Sequence, residues 1–234
     1  MTPTNNNTIG IIGGMGPDAS ARLYQQMITM ARDDFGARDN HEYPEIIMHS
    51  IPVPDFISTK NNVNEALQML KNRVKNLSSL PISCLGMACN SAHIILNDLE
   101  QVSSKPFISI IDEVTKTVIV NGYSRVGILG SPTTIYSQLY QSALTKAGIE
   151  SVLPSENEVT ELGTIIGSIV SGEHIATKTQ LVKIADKLNK QYIDALILGC
   201  TEIPLVFPKN YSLPVLDSVE ILARSLLKRY YIRS

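Results

Sequence analysis

The apolar positions of this chain follow two alternating patterns. Short unbroken runs, TIGIIGG, EIIMHSI, PISCLGMA and FISII, read as buried parallel strands. Between them apolar residues recur at helical spacing; Val63, Ala66, Leu67, Leu70, Val74 and Leu77 form one such stripe. The first run ends in glycines, and Pro17 and Asp18 open a helix through ASARLYQQMITMAR. Helices are also expected at SAHIILNDLE, directly after Cys89, and at DEVTKTVIV. The order then restarts at Arg125. Strand VGILG leads into helix TIYSQLYQSALTKAG, which stops at Gly148. A short strand SVLPS, helical stretches ELGTIIGSIV and KTQLVKIADKLNK, and strand DALILG running into Cys200 follow. Strand LPVL and helix DSVEILARSLLKRY close the chain.

The two halves therefore read as copies of one unit. Ile9–Gly13 matches Val126–Gly130, Cys89 matches Cys200, and Pro106-Phe107-Ile108 matches Pro214-Val215-Leu216, all in the same order. Strands alternating with helices imply an α/β fold. The prediction is two similar, pseudo-symmetric α/β subdomains with parallel sheets flanked by helices and the active site in the cleft between them. The expected boundaries are residues 1–120 and 121–234, with the C-terminal helix crossing over to pack on the first half. Ligands of such sheets sit outside the carboxyl ends of the strands, and both matched cysteines lie there.

Composition narrows the function. With 44% hydrophobic residues in 234, the chain can bury a sizeable core. A net charge of −2 and 18% charged residues leave no basic footprint for nucleic acid. No apolar stretch approaches the roughly 18 residues of a membrane span. The start MTPTNNNT lacks a secretory layout and is expected as a short frayed tail. The expectation is a soluble cytoplasmic protein. Three cysteines, Cys84, Cys89 and Cys200, make no disulfide framework, and with four scattered histidines and no C-x-x-C they make no zinc site.

For a single cysteine the ordinary reading is a small buried residue. That remains the reading for Cys84, which sits mid-strand without a counterpart. Two cysteines that each follow a strand and match across a repeat point instead to paired thiols. In Cys89-Asn90-Ser91-Ala92-His93 the thiol precedes a predicted helix that Asn90 or Ser91 would cap. The helix dipole would then lower the thiol pKa from about 8.5. Cys200-Thr201-Glu202-Ile203-Pro204 offers a similar setting. Two thiols flanking one carbon suit inversion of a stereocentre: one removes a proton, the other returns one to the opposite face. Backbone amides of the loop Gly13-Gly14-Met15-Gly16-Pro17-Asp18, at a helix N-terminus, would stabilise the carbanion's enolate-like carboxylate. A dinucleotide reading of that loop is weak. The G-x-G-x-x-G spacing is absent, and the second strand ends in His49-Ser50-Ile51 rather than in an acidic residue.

At these residues the chain resembles the aspartate/glutamate racemases that use no pyridoxal phosphate. The resemblance covers essentially the whole chain and rests on IGIIGGMGPDAS, MACNSAH and LILGCTEIPL in order. It implies Cys89 and Cys200 as the acid/base pair, with no metal or organic cofactor. It implies an amino-acid or dicarboxylate substrate, aspartate or glutamate first, and a homodimer. Asn90, Ser91 and Thr201 would hold the substrate's carboxylate and amino groups. Met15, Ser50, Thr134 and Glu202 complete the candidate substrate-binding set, Thr134 lying with Ser131 in a GSPTT stretch similar to a family G-T-x-x-T segment. Two positions depart from the aspartate-specific pattern: Pro54-Asp55 is followed by Phe56 in place of arginine, and Val170 replaces a lysine. Both cations would grip a distal carboxylate. Arg22 and Lys60 are cations whose place the sequence leaves open. Competing readings are a same-fold isomerase, decarboxylase or hydantoin racemase acting on another small carboxylate, and a carboxylate-binding module without catalysis, which has no use for paired thiols.

Overall fold

The computed structural model describes residues 7–54, 56, 63–173 and 175–232. Each half builds a four-stranded parallel sheet. The first holds β1 (Thr8–Gly13), β2 (Ile46–Ser50), β3 (Ile82–Met87) and β4 (Phe107–Ile108) in the order β2-β1-β3-β4. The second holds β5 (Arg125–Gly130), β6 (Glu150–Val152), β7 (Ala195–Gly199) and β8 (Val215–Asp217) in the order β6-β5-β7-β8. The two orders are the same, so the repeat read from the sequence is a repeat of topology.

Helices α1 (Pro17–Asp33), α2 (Val63–Ser78), α3 (Leu96–Glu100) and α4 (Ile110–Val120) belong to the first half. The second half holds α5 (Pro132–Tyr136), α6 (Leu139–Lys146), α7 (Glu156–Val170), α8 (Ile175–Asn189) and α9 (Ser218–Tyr231). Several elements differ from the periodicity reading. The FISII strand shrinks to the two residues of β4, because Ser109 accepts from the Asp112 amide and starts α4 there. The helix through TIYSQLYQSALTKAG is broken: Gln138 is left-handed, with φ 53°, so α5 and α6 are separate. The helix expected after Cys89 begins as a 3-10 turn over Ser91–Ile95 before α3.

Burial follows the strand alternation. Ile9, Ile11, Val126, Ile128, Ala195 and Ile197 face one shared core between the sheets, into which Tyr140, Leu144, Leu222 and Leu226 also pack. Separate outer cores back each sheet, around Leu70, Val74 and Leu85 in the first half and Leu162, Ile166 and Leu198 in the second. Helix α9 returns from the second sheet to lie against α1, α4 and the first sheet, where Leu226 lies so near Gly86 that an added Cβ would come within 2.9 Å of it. The shared core fixes the carboxyl ends of the two sheets relative to each other, and the candidate site lies at those ends.

Candidate active site

Cys89 and Cys200 stand just past the ends of β3 and β7, equivalent strands of the two sheets. Both line one cleft of about 180 Å³, below the about 300–1,000 Å³ typical of drug-sized ligands and suited to a small one. The loop after β1 forms one wall through Gly14, Met15, Gly16 and Pro17. Asn90, Ser91, Thr201 and Glu202 surround the thiols, and Val53, Pro54, Phe56 and Val170 complete the lining. Neither cysteine forms a disulfide, and both are buried. Cys84 lies elsewhere, wholly buried in the shared core, where burial pushes its thiol pKa up.

Two glycines let the loop approach so closely. Gly14 adopts φ +91°, and a Cβ there would sit 2.3 Å from the Ile51 amide nitrogen. At Gly16 a Cβ would come within 2.2 Å of Glu202 Oε1, so a side chain there would displace the Glu202 carboxylate. Seventeen-residue α1 starts here, with Pro17 at its first position, so the helix N-terminus borders the cleft.

The short turns after both cysteines, and the electrostatics of Cys200, differ from the sequence reading. Neither cysteine precedes a long helix: a 3-10 turn of five residues follows Cys89, and one of three follows Glu202. Neither Asn90 nor Ser91 caps by its side chain; Asn90 occupies the cap position and makes no cap bond, and Ser91 lies inside the turn. The Cys200 thiol is held well above its ordinary pKa. Burial is the largest cause, the Glu202 carboxylate adds to it, and Cys89 contributes last. Cys200 Sγ donates to Glu202 Oε2 at 3.0 Å, and Thr201 Oγ1 donates to the same oxygen at 3.0 Å. Cys200 is thus a protonated thiol at rest, contrary to the lowered pKa a helix dipole would give.

The remaining candidates divide. Asn90 and Ser91 line the cleft, yet their side chains reach across to the second half. Asn90 Oδ1 accepts from Tyr140 Oη at 2.5 Å, and its Nδ2 donates to Ser218 Oγ at 3.0 Å. Ser91 Oγ is 2.7 Å from Ser131 Oγ and 3.2 Å from Thr134 Oγ1. Thr134 is fully buried behind Ser91 and does not line the cleft. Ser50 ends β2 exposed and also lies outside the lining. Arg22 grips Asp217 with both guanidinium nitrogens, at 2.5 and 3.3 Å, and is engaged away from the cleft. Asp55 and Lys60 lie outside the described residues. Among the described lining residues none is a lysine, arginine or histidine.

Sequence reasoning passed over His93, Tyr140 and Ser218. His93 is buried; its Nδ1 lies 2.8 Å from the Cys89 carbonyl, and its Nε2 accepts from the Ile110 amide at 3.2 Å. An Nε2 that accepts places the proton of the neutral ring on Nδ1, which donates to Cys89. Burial lowers its pKa to about 4. Its place four residues after Cys89 was the available signal.

With this geometry in hand, the comparisons fix the class. Residues 12–226 match the model of the Asp/Glu/Hydantoin racemase family, and the chain belongs to that family. Among its relatives, the broad specificity amino-acid racemase RacX of Bacillus subtilis (strain 168) is 26% identical over 223 residues, 95% of this chain and 97% of RacX. The structure of Picrophilus torridus aspartate racemase superposes with a TM-score of 0.84 at 27% identity, covering 97% of this chain and 100% of that one. An aspartate racemase homologue from Pyrococcus horikoshii OT3 superposes with a TM-score of 0.78 at 30% identity, covering 95% and 98%. The protein is a racemase of this family.

Proposed function

We propose that the protein is an amino-acid racemase, independent of pyridoxal phosphate, that inverts Cα with Cys89 and Cys200 as its two acid/base groups. The observation that carries this reading is the convergence of both thiols, from equivalent strand ends of a repeated fold, on one small cleft. In one direction the Cys89 thiolate takes the α-proton, and the electron pair passes into the substrate carboxylate. Cys200 S–H then gives its proton to the opposite face of Cα. Product leaves with Cys89 as thiol and Cys200 as thiolate, and a proton moves back through solvent before the next turnover in that direction. The raised pKa of Cys200 supports its role as the acid at rest.

The substrate carboxylate is assigned to the loop Gly14–Pro17, where the α1 dipole and backbone amides favour the negative charge that grows on it. Met15, Asn90, Ser91, Thr201 and Glu202 bound the space it occupies. Thr134 contributes through Ser91, to whose hydroxyl it is hydrogen-bonded. The far wall is Val53, Pro54, Phe56 and Val170, which supports uncharged or apolar side chains over aspartate and glutamate, because a second carboxylate buried there lacks a cation among the described lining residues. The relatives' names, one of broad specificity and one for aspartate, bracket that range.

The test is substitution. Cys89→Ala and Cys200→Ala each abolish racemisation of every amino acid the native enzyme accepts, with circular dichroism unchanged, while Cys84→Ala keeps native turnover. Native turnover by either of the first two variants refutes the two-thiol reading.

A further inference from the structure

Tyr140 is wholly buried, belongs to α6 of the second half and touches the turns of both cysteines. Its hydroxyl donates to Asn90 Oδ1 at 2.5 Å, and Asn90 follows Cys89 directly. Its ring packs on Gly199, which directly precedes Cys200: a Cβ at Gly199 would stand 2.9 Å from Cε2 and 3.3 Å from Cδ2. Asn90 in turn donates to Ser218 Oγ, at the start of α9, at 3.0 Å. Tyr140, Asn90 and Ser218 thus form a buried chain centred on Asn90, its members coming from α6, the Cys89 turn and α9. Tyr140 does not line the cleft, so it has no direct access to substrate.

We infer that Tyr140 is a positioning residue: one rigid side chain sets the spacing of the two cysteine turns, by a hydrogen bond to one and van der Waals contact with the other. The inference rests on the two-thiol reading above. Inversion requires both sulfurs to face the same carbon from opposite sides, and rates fall steeply when reacting groups are displaced by even about 1 Å. A single ring wedged between the turns makes their separation a property of one residue. The glycine at 199 is what admits that ring, and the hydroxyl is what anchors its other end. A buried, satisfied polar network of this kind specifies one arrangement, since any slippage leaves Asn90 with lost partners away from water.

The experiment uses the full-length protein and Tyr140→Phe, which keeps the ring and removes the hydroxyl. A single enantiomer of an accepted amino acid is turned over in deuterated water, and kcat, KM and Cα deuterium in both recovered substrate and inverted product are measured. In parallel, iodoacetamide labelling of Cys89 and Cys200 is followed by peptide mass spectrometry. A positioning role predicts a fall in kcat of about tenfold, as one lost hydrogen bond to a buried partner allows, with KM within about twofold. It also predicts a rise in the ratio of deuterium in recovered substrate to that in product, because a carbanion between misaligned thiols lingers and is reprotonated on its original face. The ratio of alkylation rates at the two thiols shifts by at least about threefold on the same grounds. Ser218→Ala moves the readouts in the same direction. A merely structural tyrosine lowers the folded fraction and leaves both ratios at their native values; that result, or native kcat with native ratios, overturns the inference. Should the native protein fail to incorporate deuterium, the racemase reading falls, and the alkylation ratio by itself still decides whether Tyr140 sets the thiols' relation.

Discussion

His93 gives the folded protein an acid-sensitive fastening behind Cys89. Unfolded, the imidazole binds a proton near 6.5; folded, it does so only near 4, chiefly because burial disfavours the charged ring. Between those values the unfolded chain binds more protons than the native one, so this group makes stability fall as pH drops from about 6.5 to about 4 and adds no further slope below that. The depression is equivalent to about 3 kcal/mol. Protonation adds a second cost, since a protonated Nε2 no longer accepts the Ile110 amide and leaves a buried N–H beside a buried charge. Urea unfolding at a series of pH values from 7.5 to 4 measures the effect against His93→Gln, which keeps an acceptor near the Ile110 amide and does not titrate. Carboxylates change both proteins alike, so the difference between the two curves isolates the histidine. The native protein should lose about 3 kcal/mol relative to the variant across that window, about 1 M in midpoint for an unfolding slope of about 3 kcal/mol/M. Parallel curves would refute the reasoning, because they would mean that His93 is solvated or charged in the native state.

Three further outcomes are expected at the cleft. Glu202→Gln removes the carboxylate that helps hold Cys200 protonated, so the alkaline limb of the kcat profile moves to lower pH; a limb that stays in place contradicts the assignment of Cys200 as the resting acid. Gly16→Ala, placing a Cβ 2.2 Å from Glu202 Oε1 and pushing that carboxylate from its place beside Cys200, should lower kcat/KM by about tenfold or more while the melting temperature changes little; native kinetics would show that the carboxylate's place does not govern turnover. Val170→Lys, alone or with Phe56→Arg, should raise kcat/KM for aspartate relative to a neutral amino acid by about tenfold or more, as a cation facing the second carboxylate would; a native enzyme that already prefers aspartate overturns the apolar-wall reading.

Much of this architecture is legible in the sequence because it is written in local patterns. The unbroken apolar runs of β1, β3, β5 and β7 are those of strands buried on both faces, and their repetition across the halves foretells two sheets of one topology. The cleft's position at the strand ends, and the presence there of Cys89, Cys200 and the glycine loop, follow from that topology. What periodicity does not carry is the partner of each polar side chain. Asn90 and Ser91 look like helix caps in one dimension, but their bonds run to Tyr140, Ser218, Ser131 and Thr134, which lie 40 to 128 positions away. Arg22 looks like a free cation until Asp217 is placed beside it. The Cys200 thiol departs from the dipole reading for a related reason: the dipole argument needs a helix long enough to have a dipole, and a short 3-10 turn cannot be told from a helix start by spacing alone. The break at Gln138 is likewise invisible, since nothing in its neighbours' polarity marks a left-handed residue.

The central claim, that two thiols work from opposite faces of Cα, is tested most directly by the fate of the α-hydrogen in a single turnover. One enantiomer of an accepted amino acid, protonated at Cα, is mixed with excess native enzyme equilibrated in deuterated water, and the inverted product is analysed by mass spectrometry. If Cys89 removes the proton and Cys200, exchanged with solvent, supplies the other, the product carries deuterium at Cα while unreacted substrate retains its hydrogen. Inverted product that keeps the original hydrogen would require one group to carry the proton from face to face, and would contradict the account.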